Sequence, residues 1–427
     1  MKVTHIQSEY DVVVAGGGMV GGSFALLLDR LSGDRPLRVL VVDASKDSLA
    51  DDSQRRDADF DARSTALSWG SRLIYESACL WPALAEHATP IIDIHVSDRG
   101  HFGAARLHAG DLAVPALGYV LENRDLGNVI NHALADATEV HYLAPASVLQ
   151  VTPRPSGVTL AISAEDSVHQ VRAGLLVLAD GGRSGLCEQL GIVQQQKHYG
   201  QQALICNIAF ENPHQGKAFE RFTDTGPLAV LPLSDHAGEH RGALVWTLPE
   251  HQAREVTDLP EAAFCQALQQ RFGRRLGRIR RAGARSLYPL SLTLAQEQIR
   301  PGIVLLGNAA HTLHPVAGQG LNLALRDART LAELLVQGFR ISGGEATGPG
   351  DPAFARYALL QKFVDAQLAD QQRTVAFSDL TTRLFSNNNP WLAAGRNLGL
   401  LGMDLLPPLK SWFTRQAMGM ADRTSRW

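Results

Sequence analysis

Three glycine-bearing segments carry most of the chemistry open to this chain. Asp11-Val12-Val13-Val14-Ala15 reads as a buried strand, and Gly16-Gly17-Gly18-Met19-Val20-Gly21-Gly22 follows it, with Gly16, Gly18 and Gly21 in G-x-G-x-x-G spacing. Gly16 permits a tight turn, Gly18 lets a diphosphate approach the backbone, and Gly21 lets helix and strand pack closely. A helix over Ser23 to Leu31 and a strand from Arg38 to Val42 should follow. Asp43 then stands roughly 20 residues past the glycines, where a carboxylate accepts from a ribose. A second strand, Ile303 to Leu306, runs into Gly307, Asn308, His311, His314 and Pro315, and Gly318-Gln319-Gly320 opens an amphipathic helix with Leu321, Leu323 and Leu325. A Gly-rich turn feeding a helix N-terminus presents bare N–H groups to an electron-rich ligand. The third segment is Leu175 to Leu178, Ala179, then Asp180-Gly181-Gly182-Arg183-Ser184. Alone, such a sequence is a plain turn.

In this order and at these separations, the three segments resemble the fingerprints of the group A flavoprotein monooxygenases, whose fold is that of p-hydroxybenzoate hydroxylase. The resemblance runs from Asp11 to about Gly402. The stretch His314-Pro315-Val316-Ala317-Gly318-Gln319-Gly320-Leu321-Asn322 resembles the signature of the ubiquinone-biosynthesis branch. Asn308 stands where most members carry Asp. With Val96 to His101, Phe219-Glu220-Arg221-Phe222-Thr223 and Gly226 to Ala229, it is similar to the bacterial 2-polyprenyl-6-methoxyphenol hydroxylases.

The resemblance implies FAD as cofactor, NADPH or NADH as transient electron donor, and O2 as co-substrate. It implies hydroxylation of a polyprenylated methoxyphenol to the 1,4-benzoquinol in ubiquinone biosynthesis, through a flavin C4a-hydroperoxide. Another ring position, another aromatic substrate, and a non-catalytic flavin-binding subunit of a biosynthetic complex are the alternatives. It assigns Gly16, Gly18, Gly21, Asp43, Arg63, Arg124, Asp180, Gly181, Asn308, Pro315, Gly318, Gln319, Gly320, Leu321 and Asn322 to the cofactor. Arg63 is equally readable as a surface arginine. The family's DG segment usually carries Arg where Cys187 stands here, and Arg183 is the substitute at hand. For catalysis, His311, His314 and Tyr199 are the candidates. Each has a structural alternative, a hydrogen-bonded loop histidine or a packed tyrosine. Trp246 and Phe222 read as sheet core.

The wider chain must position these segments. Short alternating stretches such as Ile94 to Val96, Val158 to Ile162 and Ala243 to Trp246 read as strands, and residues 260–273 and 353–385 have helical periodicity. Arg63 precedes what reads as an apolar helix start at Ala66-Leu67. The expected fold class is α/β (α+β): a Rossmann-like FAD-binding domain, an inserted, mainly antiparallel substrate sheet, and a C-terminal helical region. The expected division is 1–75, 106–190 and 286–345 for the discontinuous FAD-binding domain, 76–105 and 191–285 for the substrate domain, and 346–427 for the C-terminal region. A formal net charge of −3 over 427 residues leaves no bulk electrostatic case for nucleic acid. Four cysteines without a CxxC pair argue against a metal site or a disulfide framework and fit a reducing cytoplasm. No run approaches the roughly 18 apolar residues a spanning helix needs, and MKVTHIQSEY carries no leader pattern, so a cytoplasmic location is expected. The stretch Trp391 to Met420 is rich in Trp, Phe, Leu and Met beside Arg and Lys. It would lie peripherally on the inner membrane, pack on the protein's own core, or meet another subunit. A ubiquinone-biosynthesis complex and a homo-oligomer are the expected protein partners.

Overall fold

A computed structural model describes residues 6–45, 60, 63–100, 104–313, 318–341, 357–385, 414–415 and 418–419. The strand Glu9–Ala15 sits at the centre of an eight-stranded sheet. Val12, Val13 and Val14 are all fully buried, as expected of a parallel strand covered on both faces, which reads as a continuous apolar run. It pairs in parallel with Val39–Val42 on one side and Ser167–Leu178 on the other. Ser167–Leu178 in turn pairs in parallel with Ile303–Leu305. The register aligns Ala15 with Leu178 and Leu178 with Leu305. The residues that follow these strand ends, Gly16, Asp180 and Gly307, therefore emerge side by side. Ligands of open α/β sheets bind outside such carboxyl ends.

Helices Met19–Ser32, Asn123–Asp136 and Gln319–Ile341 cover one face of this sheet. In the last of them, Ala324, Ala328, Leu331, Leu335 and Phe339 are buried at spacings of three and four, the stripe a core-facing helix needs. The antiparallel strands Ala146–Arg154 and Gly157–Ala164 extend Ser167–Leu178 and bury a second core on the opposite face.

The second sheet has nine strands, antiparallel except where Lys217–Thr223 runs parallel to Asp93–Asp98. Its strands alternate in the way that two different coverings demand. Leu204, Leu228, Leu244, Trp246 and Leu248 pack with Phe264 and Leu268 of the helix Glu261–Phe272. Ile205, Ala229, Leu231, Val245 and Thr247, one residue out of step, line a cavity instead. A three-stranded sheet of Ser64–Ser68, Gly118–Glu122 and Thr89–Ile91 closes that cavity towards the first domain.

The mixed α/β class agrees with expectation, and two local readings change. Ala66 and Leu67 are in the strand Ser64–Ser68, paired with Val120 and Tyr119, and the helix starts at Trp69. Ser68 caps that helix by accepting from the Ser71 N–H. Phe222 lines the cavity, whereas Trp246 is core. We propose the domain division with two shifted edges. Ser286–Ala295 belongs with the substrate sheet, because it pairs antiparallel with Gln194–Phe210. Ala104–His108 belongs there too, because it pairs with Asp93–Asp98.

Most of the apolar C-terminal stretch, Trp391 to Gly402 included, lies outside the described residues. Met418 does not. It is 2% exposed, packs with Leu107, Ala109 and Leu117, and its carbonyl accepts from the Gly70 N–H at 3.1 Å. This short piece serves the protein's own core. Met418→Ala should cost roughly 2–4 kcal/mol, since truncating a buried Met loses its transfer energy and leaves a cavity. Denaturant unfolding with FAD bound checks it, and an unchanged midpoint would refute the packing role.

Candidate active site

The first glycine turn is built by exclusion. Gly16 has φ of +105°, and a Cβ there would lie 2.5 Å from the Ala179 carbonyl oxygen. A Cβ at Gly21 would lie 1.9 Å from the Gly16 oxygen. Gly18 is different, because a Cβ there would meet nothing within 4 Å. It caps the helix Met19–Ser32 with no side-chain hydrogen bond, and that helix has no acid in its first turn. The bare N–H groups and the helix dipole therefore face open space, a fitting cradle for a diphosphate. Gly17 was not singled out by the sequence, yet its N–H donates to Asp43 Oδ2 at 2.6 Å. A Cβ at Gly17 would press on Tyr142 and on that carboxylate. Its neighbour in the G-G-G run was the available signal. Asp43 Oδ1 accepts from the Ser45 N–H at 2.7 Å, and each oxygen keeps a lone pair for a ribose hydroxyl.

The other two segments meet at the same edge. Asp180 turns into its own loop, accepting from the N–H groups of Gly182 and Ser184 and from the Ser184 hydroxyl. Those bonds hold Gly181 and Gly182 at φ of +73° and +74°, where glycine is needed. A Cβ at Gly182 would lie 3.6 Å from the Asn308 carbonyl oxygen, so the two loops abut. The Asn308 side chain is exposed. Cys187 is buried, and burial pushes its thiol up, while Arg183 is exposed.

The helix Gln319–Ile341 is pinned by Asn322. Its Oδ1 accepts from the Ser68 N–H and the Ser71 hydroxyl at 2.8 and 2.6 Å, and its Nδ2 donates to the Ala66 and Gly318 carbonyls at 2.9 and 2.8 Å. That side chain is fully used by the protein, so Asn322 positions the turn through these bonds. Gly320, two residues earlier, borders open space among the described residues.

Several expected side chains lie elsewhere. His311 is buried, with Nε2 2.8 Å from Asp327 Oδ2, and it is not among the cavity-lining residues. Gln371 donates to the same Asp327 oxygen. The structural alternative for His311 is therefore the one observed, a His–Asp pair behind the turn. The Tyr199 hydroxyl donates to Asp379 at 2.8 Å, beside Lys197, and is also outside the cavity lining. Arg63 donates to the Tyr288 hydroxyl at 3.0 Å. Arg124 sits between Glu122 and Asp125. His314 and Pro315 lie outside the described residues.

The cavity holds about 450 Å³ and runs from the turn at Gly318, Gln319 and Gly320 to the second sheet. Its walls are overwhelmingly apolar, as befits a ring and a prenyl chain. Among the described lining residues a few hydroxyls and amides interrupt the apolar wall, and one side chain can ionise. On the strand Lys217–Thr223, Ala218, Glu220 and Phe222 share the cavity face. Glu220 makes no hydrogen bond or ion pair with the described residues. It is partly uncovered because it fronts the cavity, but the space it fronts is apolar, and burial alone pushes its carboxyl up to about 7. An acid on an otherwise apolar strand face was the sequence signal, and a carboxylate perturbed by burial in a cavity is a candidate for function.

An open sheet whose strand ends gather a G-x-G-x-x-G turn, a D-G turn and a G-N turn, over an apolar cavity, defines a flavin-binding fold. The chain belongs to the FAD-binding family, whose model, described as an FAD binding domain, matches residues 9–347. Within it the chain is an FAD-dependent monooxygenase. It is similar to the ubiquinone hydroxylase UbiL of Rhodospirillum rubrum, 34% identical over 414 residues, covering 96% of this chain and 89% of that protein. It is also similar to the 3-demethoxyubiquinol 3-hydroxylase of Escherichia coli, 30% identical over 422 residues, covering 96% and 98%. Among solved structures, p-nitrophenol 4-monooxygenase PnpA of Pseudomonas putida superposes with a TM-score of 0.73 at 20% identity, covering 98% of this chain and 100% of that one. At that identity the likeness establishes the fold.

Two measurements follow from this geometry. Gly18→Val should purify folded but colourless, because the added side chain meets only the space a diphosphate needs. Gly21→Val, driven into the Gly16 carbonyl, should fail to fold. A yellow Gly18→Val protein would remove the diphosphate from this turn. The second concerns Glu220. Its folded-state ionisation is raised from 4.5 to about 7, so the stability it contributes is full below about pH 4.5 and is lost as pH rises through about 7. Glu220→Gln never ionises. It should therefore raise the unfolding free energy more at about pH 8 than at about pH 5, by at most roughly 3 kcal/mol. A difference independent of pH would place Glu220 in ordinary solvent.

Proposed function

We propose that this monooxygenase hydroxylates the aromatic ring of a polyprenylated methoxyphenol on the way to ubiquinone. The observation that carries the reading is the apolar cavity bounded on one side by the Gly318–Leu321 backbone and on the other by the sheet strand bearing Glu220. FAD, when bound, supplies the activated oxygen that side chains cannot. The Gly16–Gly18 turn would hold its diphosphate, Asp43 its ribose, Asn308 its ribityl chain and the N-terminal turn of Gln319–Ile341 its pyrimidine edge. NADPH or NADH would deliver electrons transiently. The apolar walls Ile205, Val245, Leu231 and Phe222 exclude water and orient the ring.

The relatives support the substrate class: one is named a ubiquinone hydroxylase and one a 3-demethoxyubiquinol 3-hydroxylase. The second name favours a further reading, in which the same cavity serves another position of the ubiquinone ring. Among the described residues no helix is long and apolar enough to cross a membrane. The prenyl tail is itself a membrane lipid, which supports a peripheral contact with the inner membrane or with a biosynthetic assembly that presents it.

The test is phenol-stimulated NADPH oxidation with mass and position analysis of the product. A 2-prenyl-6-methoxyphenol should accelerate oxidation and gain one oxygen on the ring para to its hydroxyl. Oxygen at another carbon would transfer the enzyme to the second reading. NADPH oxidation that no prenylated phenol stimulates would refute both.

A further inference from the structure

A phenol is attacked by an electrophilic oxygen more readily as its hydroxyl proton departs, because the freed lone pair is delocalised onto the ring carbons. A base within reach of the bound hydroxyl therefore serves the reaction. The described residues lining the cavity include serine and threonine hydroxyls, the amides of Gln319 and Asn322, and a single ionisable side chain, that of Glu220. Asn322 is saturated by four hydrogen bonds to the protein. His311 and Tyr199 are engaged with Asp327 and Asp379 and do not line the cavity.

We propose that Glu220 is the catalytic base of this site, its carboxylate accepting the hydroxyl proton of the phenol bound in the cavity. The phenol O–H bond breaks, a carboxyl O–H bond forms on Glu220, and the electron pair stays on the phenol oxygen. The inference rests on the hydroxylase reading above.

The surroundings suit the role. Across the strand pairs, Val96 of Asp93–Asp98 and Ala229 of Gly226–His236 stand opposite Glu220. Val245 and Thr247 come from Glu239–Pro249, Gln319 and Leu321 from the long helix, and Phe377 from Tyr357–Phe385. None of these can ionise. The nearby charges form a separate set: Arg221, next in the chain and so on the opposite strand face, interacts with Arg275, Arg99 and Asp98. On the neighbouring strand His95 stands opposite Phe219, and burial, then Arg275, Arg106 and Lys217, push its imidazole pKa down. With no cation among the described residues committed to Glu220, its carboxylate is a stronger base than an exposed glutamate and ionises in the range where a base is most useful, near 7.

The experiment uses the FAD-loaded full chain, a 2-prenyl-6-methoxyphenol with one prenyl unit, and its more acidic ring-fluorinated analogue. In the wild type, kcat/KM should rise with pH as one group ionises near 7, at the same pH for both phenols. Glu220→Gln should keep its FAD, abolish that limb and lower kcat about 100-fold or more with KM little changed. The loss should be smaller for the fluorinated phenol, which needs less help to ionise. Glu220→Asp should restore the limb. A limb that survives in Glu220→Gln, that follows the acidity of the phenol, or a defect confined to KM would overturn the assignment. If Glu220→Gln does not retain FAD, the wild-type limb decides alone: common to both phenols it supports a protein base, and moving with the phenol it refutes one. Failure of the hydroxylase reading is distinct, since the wild type would then form no hydroxylated product from either phenol.

Discussion

The parallel register of Glu9–Ala15, Ser167–Leu178 and Ile303–Leu305 is the constraint on which the site depends. The three strands lie far apart in the chain, yet backbone hydrogen bonding aligns Ala15 with Leu178 and Leu178 with Leu305. A slip of one residue would send each apolar side chain to the opposite face of a sheet buried on both sides, so the register is strongly enforced. Because it is enforced, three short turns that share nothing but glycine arrive at one edge. Each then solves a different steric problem. Gly21 lets the helix approach the Gly16 carbonyl, Gly181 and Gly182 let the loop fold around Asp180, and Gly18 and Gly320 leave room that the protein does not fill.

The second sheet works by the opposite logic. One face needs a core and the other a chamber, and alternation along each strand provides both. Leu244 and Trp246 go to the helices, and Val245 and Thr247 go to the cavity. The small strand Ser64–Ser68 and the Asn322 side chain join this chamber to the cofactor edge, since four hydrogen bonds from one amide bind the helix start to the strand and to the neighbouring helix. A carboxylate in such a chamber carries a desolvation cost that any apolar residue would avoid. Glu220 carries it with no partner among the described residues, as a stability–function trade requires.

The motifs and their local geometry are legible from the chain alone. G-x-G-x-x-G spacing, the acid after the second strand and the apolar parallel strands are local patterns, and local sterics make them binding. The class of cofactor was therefore legible. So were the helices Glu261–Phe272 and Gln319–Ile341, whose stripes follow from helical periodicity. What the tertiary structure decided was every role that depends on which face a side chain meets. His311 reads as a catalytic candidate in a Gly-rich turn until the fold sets Asp327 against it. Asn322 reads as a cofactor ligand until Ser68, Ser71, Ala66 and Gly318 use all of its amide. Glu220 enters the sequence reading only as part of Phe219-Glu220-Arg221-Phe222-Thr223, because the sequence does not say that the cavity lies on its side. Period-two alternation puts Ala218, Glu220 and Phe222 together on one face, but only packing the second sheet against the first decides that this face is the dry one.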